Sequence, residues 1–211
     1  MALDGTLSGL KASITDWLLR VGDTRFAARI PDLIVMGEAT LNKTLRALEM
    51  QGQQTLVTVA GTDTVAAPTG FLQGVSLSAL DYKAPPIDQM EGAALDTDFA
   101  GAAAGRVQAY SAWGGLFTLG PTPDAIYNLR SRFFRKITPL TDAAPTNPVL
   151  VAHPDLYMYA ALMQAAPTLR DQDAAAMWQS ALESGVGLAN EMAQETLNTQ
   201  GRARRIYGKG I

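Results

Sequence analysis

His153-Pro154-Asp155-Leu156-Tyr157-Met158-Tyr159-Ala160-Ala161-Leu162 opens the stretch whose reading decides the fold, and that stretch continues to about Thr199. Proline at the first helical position loses nothing by lacking an N–H, and Asp155 follows in the positive first turn, so a helix is predicted to start at Pro154. Pro167 clashes with the preceding turn and pushes Ala166 out of the helical region, which predicts a break there. After Leu169-Arg170-Asp171 the chain restarts. Ala174, Met177, Trp178, Ala181, Leu182, Gly185, Leu188, Ala189 and Met192 then recur at three- and four-residue steps as one long apolar stripe. About 28 residues at ~1.5 Å each make a rod of roughly 42 Å, which needs a large surface to cover its stripe. Gly185 and Gly187 each cost a helix roughly 1 kcal/mol relative to alanine, so close packing is expected at both. His153 is expected to cap the helix that Pro154 opens.

Toward the N-terminus, Leu7, Leu10, Ile14, Trp17, Leu18 and Val21 repeat at helical spacing behind a capping Thr6, which predicts an amphipathic helix over 7–20. Phe26 to Ile30 reads as a short helical turn, and Pro31-Asp32 opens a second long helix that Gln51-Gly52 stops. Leu33, Met36, Gly37, Thr40, Leu41, Thr44, Leu45 and Leu48 share its inner face, while Glu38, Asn42, Lys43, Arg46 and Glu49 form its outer one.

From Gln54 the period changes. Thr55 to Val59 and Phe71 to Leu80 alternate and carry β-branched residues, as short strands do. Pro85-Pro86 is expected to start a short helix through Met90, and alanine- and glycine-rich residues 92–105 a mobile loop. Alternation resumes at Val107, Ala109 and Ser111 and again over Leu116 to Leu119, ahead of a firm turn at Gly120-Pro121-Thr122-Pro123-Asp124. Ile126, Leu129, Phe133 and Phe134 make a further strand, and Pro139, Pro145 and Pro148 mark an irregular crossing.

The predicted class is α+β, mainly an α-helical bundle with a β-rich insertion between the second and third long helices. The expected divisions are an N-terminal helical pair (1–52), the β-rich insertion (53–148) with a flexible loop (81–105), a C-terminal helical hairpin (149–200) and an extended C-terminal arm (201–211).

Composition narrows the function classes. A chain of 211 residues with 47% hydrophobic and 18% charged residues is of ordinary globular type. No run of 18 apolar residues suggests a membrane span, and Asp4, Lys11, Asp16 and Arg20 interrupt any signal-peptide core, so export is not expected. Without cysteine there is no disulfide frame and no thiolate, and a single histidine builds none of the usual zinc or iron sites. No cofactor is expected.

Catalytic signatures are equally sparse. Asp96 and Asp98, Asp171 and Asp173, and Asp81 with Asp88 are the paired carboxylates, but they fall in loops or at helix starts, where acidic residues are favoured anyway. No Gly-x-Ser-x-Gly elbow and no phosphate-cradling Gly-x-x-x-x-Gly-Lys loop occurs. No residue stands out as catalytic or as a metal ligand, and an enzyme is not expected.

Charge is uneven. The net value is −3, yet residues 202–211 hold four basic and no acidic side chains, leaving −7 for residues 1–201. An acidic body is a poor match to a nucleic-acid-gripping domain. Two basic candidates stand out. Arg130, Arg132, Arg135 and Lys136 interleave with Phe133 and Phe134, although strand alternation puts Arg130, Arg132 and Phe134 on one face and Ser131, Phe133 and Arg135 on the other. The tail, with Arg202, Arg204, Arg205, Ile206, Tyr207, Lys209 and Ile211, is either a frayed terminus or, since it combines cations with apolar anchors, an arm that orders on binding. Its eleven residues from Gly201 reach about 35 Å when extended. A small DNA-binding regulatory module using that tail is the alternative these residues leave open.

The chain resembles the head-to-tail adaptor, or connector, proteins of tailed bacteriophages. The resemblance runs from Gly120-Pro121-Thr122-Pro123-Asp124 through Tyr127, Phe133-Phe134, Leu140-Thr141-Asp142 and Pro145-Thr146-Asn147 to the opening helix and Ala165-Ala166-Pro167. The N-terminal helices and Ala67-Pro68-Thr69-Gly70-Phe71-Leu72 also fit. Pro154-Asp155-Leu156-Tyr157 is its most specific part. Ala67-Pro68-Thr69, Phe133-Phe134 and Pro148 depart from the family's usual residues.

The resemblance implies a helical bundle with a β-rich insertion and a homo-oligomeric, dodecameric ring beneath the portal protein. It also implies the C-terminal arm on the portal, a tail or stopper protein attached below, and DNA passing through the lumen without sequence-specific binding. The location implied is the virion, after assembly in the host cytoplasm. Acidic walls suit such a channel, because they repel phosphate and let the duplex slide.

Overall fold

The computed structural model describes residues 3–169 and 172–207. It is mixed α+β, and its residues group into two compact units: Met1–Met50 with Ile137–Ile211, and Gln51–Lys136. Residues 137–148, assigned above to the β-rich stretch, group instead with the helices.

The helical unit starts with α1 (Leu7–Trp17), whose N-cap Thr6 accepts from the Gly9 N–H at 3.1 Å. A single turn, α2 (Thr24–Ala27), is capped by Asp23, and α3 (Ile30–Thr44) has Pro31 in its first turn. The sequence reading carried α3 on to Gln51. It ends at Thr44 because Asn190 grips the exposed end with both amide atoms: Oδ1 accepts from the Arg46 N–H at 2.6 Å and Nδ2 donates to the Thr44 carbonyl at 3.0 Å. A 3-10 turn follows at Leu48–Met50.

After the crossing come α5 (Pro148–Ala152), α6 (Pro154–Leu169) and α7 (Gln172–Tyr207). Asn147 and Pro148 form a cap-and-proline start that turns the end of the irregular crossing into a helix, with Asn147 Oδ1 accepting from the Leu150 N–H at 2.8 Å. Helix α6 is buried almost all round: Leu156, Tyr157, Met158, Ala160, Ala161, Leu162, Ala165 and Ala166 are all in the core. A helix apolar on every side is a core helix. Its small residues let α3 approach, since a Cβ on Gly37 would lie 3.2 Å from the backbone at Ala160 and Ala161.

Two expectations for this hairpin are corrected. Helix α6 does not stop at Ala166 but runs through Pro167 to Leu169. Within the last turn the proline removes only one backbone hydrogen bond, and the helix ends two residues later. Gly185 is tightly packed, with an added Cβ 2.6 Å from Leu156 Cδ2, but Gly187 has nothing within 4 Å.

The second unit holds two sheets. One joins β1 (Gln51–Val57), β7 (Asn128–Arg135) and β3 (Phe71–Ala79) in that spatial order, all antiparallel. The other orders β2 (Thr64–Ala66), β6 (Leu116–Gly120), β5 (Ala109–Trp113) and β4 (Asp88–Gln89). Leu56, Leu77 and Leu129 from the first and Tyr110, Phe117 and Leu119 from the second make one shared core, sealed by Phe71 against Phe117 edge-on at 5.1 Å.

Pro85-Pro86 leads into strand β4, and the alanine-rich segment expected to be a loop folds as α4 (Gly92–Asp98). Leu95 is buried there, and a Cβ on Gly120 would collide with Leu95 and Phe99, so a glycine in β6 makes room for this helix. Among the described residues, no helix is long and apolar enough to cross a membrane.

Candidate interaction surfaces

The Pro154-Asp155-Leu156-Tyr157 motif places Tyr157 one turn into α6, at the middle of a buried polar network. Its hydroxyl accepts from Asn147 Nδ2 at 2.6 Å and donates to Glu38 Oε1 at 3.3 Å. The same Glu38 oxygen accepts from the Leu140 N–H at 2.9 Å, and Asn147 Nδ2 also reaches the Thr138 carbonyl at 2.8 Å. Glu38 and Asn147 thus satisfy backbone groups of the 137–147 crossing, and Tyr157 links the two. Burial raises the Glu38 carboxyl above its ordinary pKa, the Leu140 N–H and Tyr157 opposing that shift, and burial raises the Tyr157 phenol as well. This network is structural, since each of these hydrogen bonds is made within the fold.

The sequence reading placed Glu38, Asn42, Arg46 and Glu49 on a solvated outer face. Instead Glu38 is 5% exposed, Asn42 Oδ1 accepts from the Ile137 N–H at 2.8 Å, and Glu49 pairs with His153 at 3.2 Å. His153 accordingly does not cap α6 with its ring; only its carbonyl accepts from the Tyr157 N–H, at 3.4 Å.

Among the described residues, the paired carboxylates do not gather into a buried cluster. Asp81 accepts from the Asn128 backbone and side-chain amides, which lower its pKa. Asp88, Asp96, Asp98 and Asp173 are exposed, and Asp171 lies outside the described residues. No group of three or more potential metal ligands occurs among the described residues.

The basic strand does not present one cationic face. Arg130 is half-buried, Arg132 donates to Gln53 Oε1 at 3.4 Å, and Phe133 and Phe134 are both buried on opposite sides of β7. The tail also differs from the extended arm expected. Gly201 and its neighbours continue α7 as helix to Tyr207, because arginine and alanine propagate a helix that one glycine only weakens. The side chains of Arg202, Arg204, Arg205, Ile206 and Tyr207, and the whole of Lys209 and Ile211, lie outside the described residues.

What the surface does offer is uncovered apolar area. On α7 the predicted stripe divides in two. Trp178, Leu182, Val186, Ala189 and Ala193 are buried, whereas Met177, Leu188 and Met192, about 100° round the helix, are 60%, 61% and 62% exposed. In the β-rich unit, Val57, Val59, Leu80 and Ile126 are exposed together at one end of the first sheet. They are neighbours because Thr58 pairs with Tyr127 and the Leu80 N–H reaches the Asn128 carbonyl. Trp113, 85% exposed, stands at the tip of the β5–β6 hairpin, whose Gly114 and Gly115 both take the positive φ that a two-residue turn requires. Several such patches on one small chain mark surfaces for protein partners.

Among curated proteins, none matches the chain. The family described as SU10 adaptor protein matches it over residues 5–205, nearly its whole length. The chain therefore belongs to the SU10 adaptor family and is a structural adaptor of phage origin, a virion component in a family that is not an enzyme class.

Proposed function

We propose that the protein assembles as a closed ring beneath the phage portal, extends the DNA channel and offers the docking surface for the tail. The observation that carries this reading is the divided stripe of α7. At 36 residues the helix is about 54 Å long, and one apolar edge is spent on its own core while Met177, Leu188 and Met192 remain open. A neighbouring copy covers them, through the heterologous contact that closes a ring. The basic end of α7 and the residues beyond it, Arg202 to Ile211, engage the portal.

Acidic walls keep the passing duplex mobile. The Arg130 to Lys136 strand splits its cations between faces, which leaves the alternative DNA-binding module only the basic tail, on a body of net charge −7 over residues 1–201. Removal of residues 202–211 tests the portal contact: the truncated protein should fold normally and fail to co-sediment with portal. Co-sedimentation undiminished by the deletion contradicts it.

A further inference from the structure

A pocket of about 190 Å³ in the helical unit is lined by Arg20, Asp23, Arg25, Phe26, Arg29 and Leu169. Three guanidinium groups from a ten-residue stretch surround it in a chain that is otherwise acidic. The one carboxylate among the described lining residues is already committed: Asp23 Oδ1 caps α2 by accepting from the Phe26 N–H at 3.0 Å, and Oδ2 meets Arg20 at 3.5 Å. Among the described residues, Arg25 and Arg29 have no ion-pair partner. Phe26 is buried and the turn is capped, so the arginines project from a fixed base. Arg25 and Arg29, two planar, always-charged guanidinium forks without a counter-ion among the described residues, beside an Arg20 held by Asp23, are a receptor for carboxylate or phosphate.

The surroundings favour carboxylates on a protein. Leu19 and Val21, flanking Arg20, are among the most exposed apolar side chains of the chain, with Trp17 beside them in sequence. Arginine among apolar and aromatic residues is the composition of a protein interface, whereas a phosphate backbone is held by a broad basic face. The chain itself supplies a matching acidic segment: Asp88, Glu91, Asp96 and Asp98 fall within eleven residues that contain no basic side chain. All four are exposed, and none has an ion-pair partner among the described residues.

We infer that the Arg20–Arg25–Arg29 pocket receives the exposed carboxylates of the 88–98 segment of a neighbouring copy. This rests on the ring reading above. A heterologous ring requires two different, complementary patches on each subunit, and a basic pocket with an acidic segment on the same chain is such a pair.

The test uses the full-length protein mixed with the portal of the same phage, with assembled copies counted by native mass measurement. Arg25→Glu/Arg29→Glu should weaken copy-to-copy association by about tenfold or more, and Asp96→Arg/Asp98→Arg should do the same. The protein carrying all four reversals should recover assembly. All these positions are exposed, so unfolding curves check that each variant is folded. Asp171→Asn, two residues beyond Leu169 in the sequence, should leave assembly unchanged.

The inference is overturned if the arginine reversals leave assembly intact, if the fourfold variant fails to recover, or if Asp171→Asn alone reproduces the loss. Failure to recover assigns the pocket to another partner, portal or DNA. A wild-type protein that forms no multi-copy assembly refutes the ring reading itself, before any variant is made.

Discussion

The Tyr157 hydroxyl donates to Glu38 at 3.3 Å across the buried junction of α3 and α6, while accepting from Asn147 at 2.6 Å. One oxygen therefore ties both long helices to the crossing that leads into α5. Tyr157→Phe keeps the ring and removes this bond. The expected loss is about 1–2 kcal/mol, measured by denaturant unfolding, because Glu38 loses a donor and Asn147 an acceptor in a buried site.

Glu38 makes stability depend on pH. Its carboxyl holds a proton more tightly in the folded protein than at its ordinary value of 4.5, so its contribution is greatest below that value and declines as pH rises through the elevated one. Glu38→Gln retains an acceptor for Leu140 and Tyr157 without ionising. Relative to wild type, this variant should gain stability from acid toward neutral pH. Glu38→Ala, which leaves the Leu140 N–H unpaired, should lose about 1–3 kcal/mol, with the larger loss at acid pH.

Two glycines give opposite expectations. Gly187→Ala meets open space and should stabilise α7 by up to about 1 kcal/mol. Gly37→Ala pushes a Cβ against the α6 backbone, which cannot move like a side-chain tip, so a net loss of about 1–3 kcal/mol is expected. Thermal unfolding of the two variants side by side reads the difference.

Met177→Glu/Leu188→Glu/Met192→Glu charges the open edge of α7. These side chains contribute little to the core, so the unfolding midpoint should change little. Assembly on portal should be lost, because three carboxylates cannot be buried against a neighbour without partners. Retained assembly would show that the edge faces solvent in the particle.

Much of the fold is legible in the sequence where one periodicity dominates. Thr6 and Pro154 mark helix starts, and the alternation around Leu77, Phe117 and Leu129 marks strands. What escaped is set by contacts distant in sequence. Glu38 falls four residues after Ile34 on the inward edge of α3, but its charge reads as solvated, and its partner, the Leu140 N–H, comes from about a hundred residues later in the chain. Asn190 ends α3 from α7, which no local signal near Thr44 reports.

The alanine-rich segment containing α4 looked mobile because glycine and alanine carry little pattern; Leu95 beneath Gly120 holds it. The apolar stripe of α7 was visible as a whole, but spacing alone does not tell which edge the protein covers for itself. The arginine pocket was missed because Arg20, Arg25 and Arg29 are spread through an unremarkable turn, and only its folding brings them round one hollow.

Native mass measurement of the full-length protein, alone and mixed with the portal of the same phage, tests the ring account most directly. The account predicts a discrete complex in which many copies of this chain are added to one portal. A protein that remains a single copy in both samples, with portal mass unchanged, contradicts it.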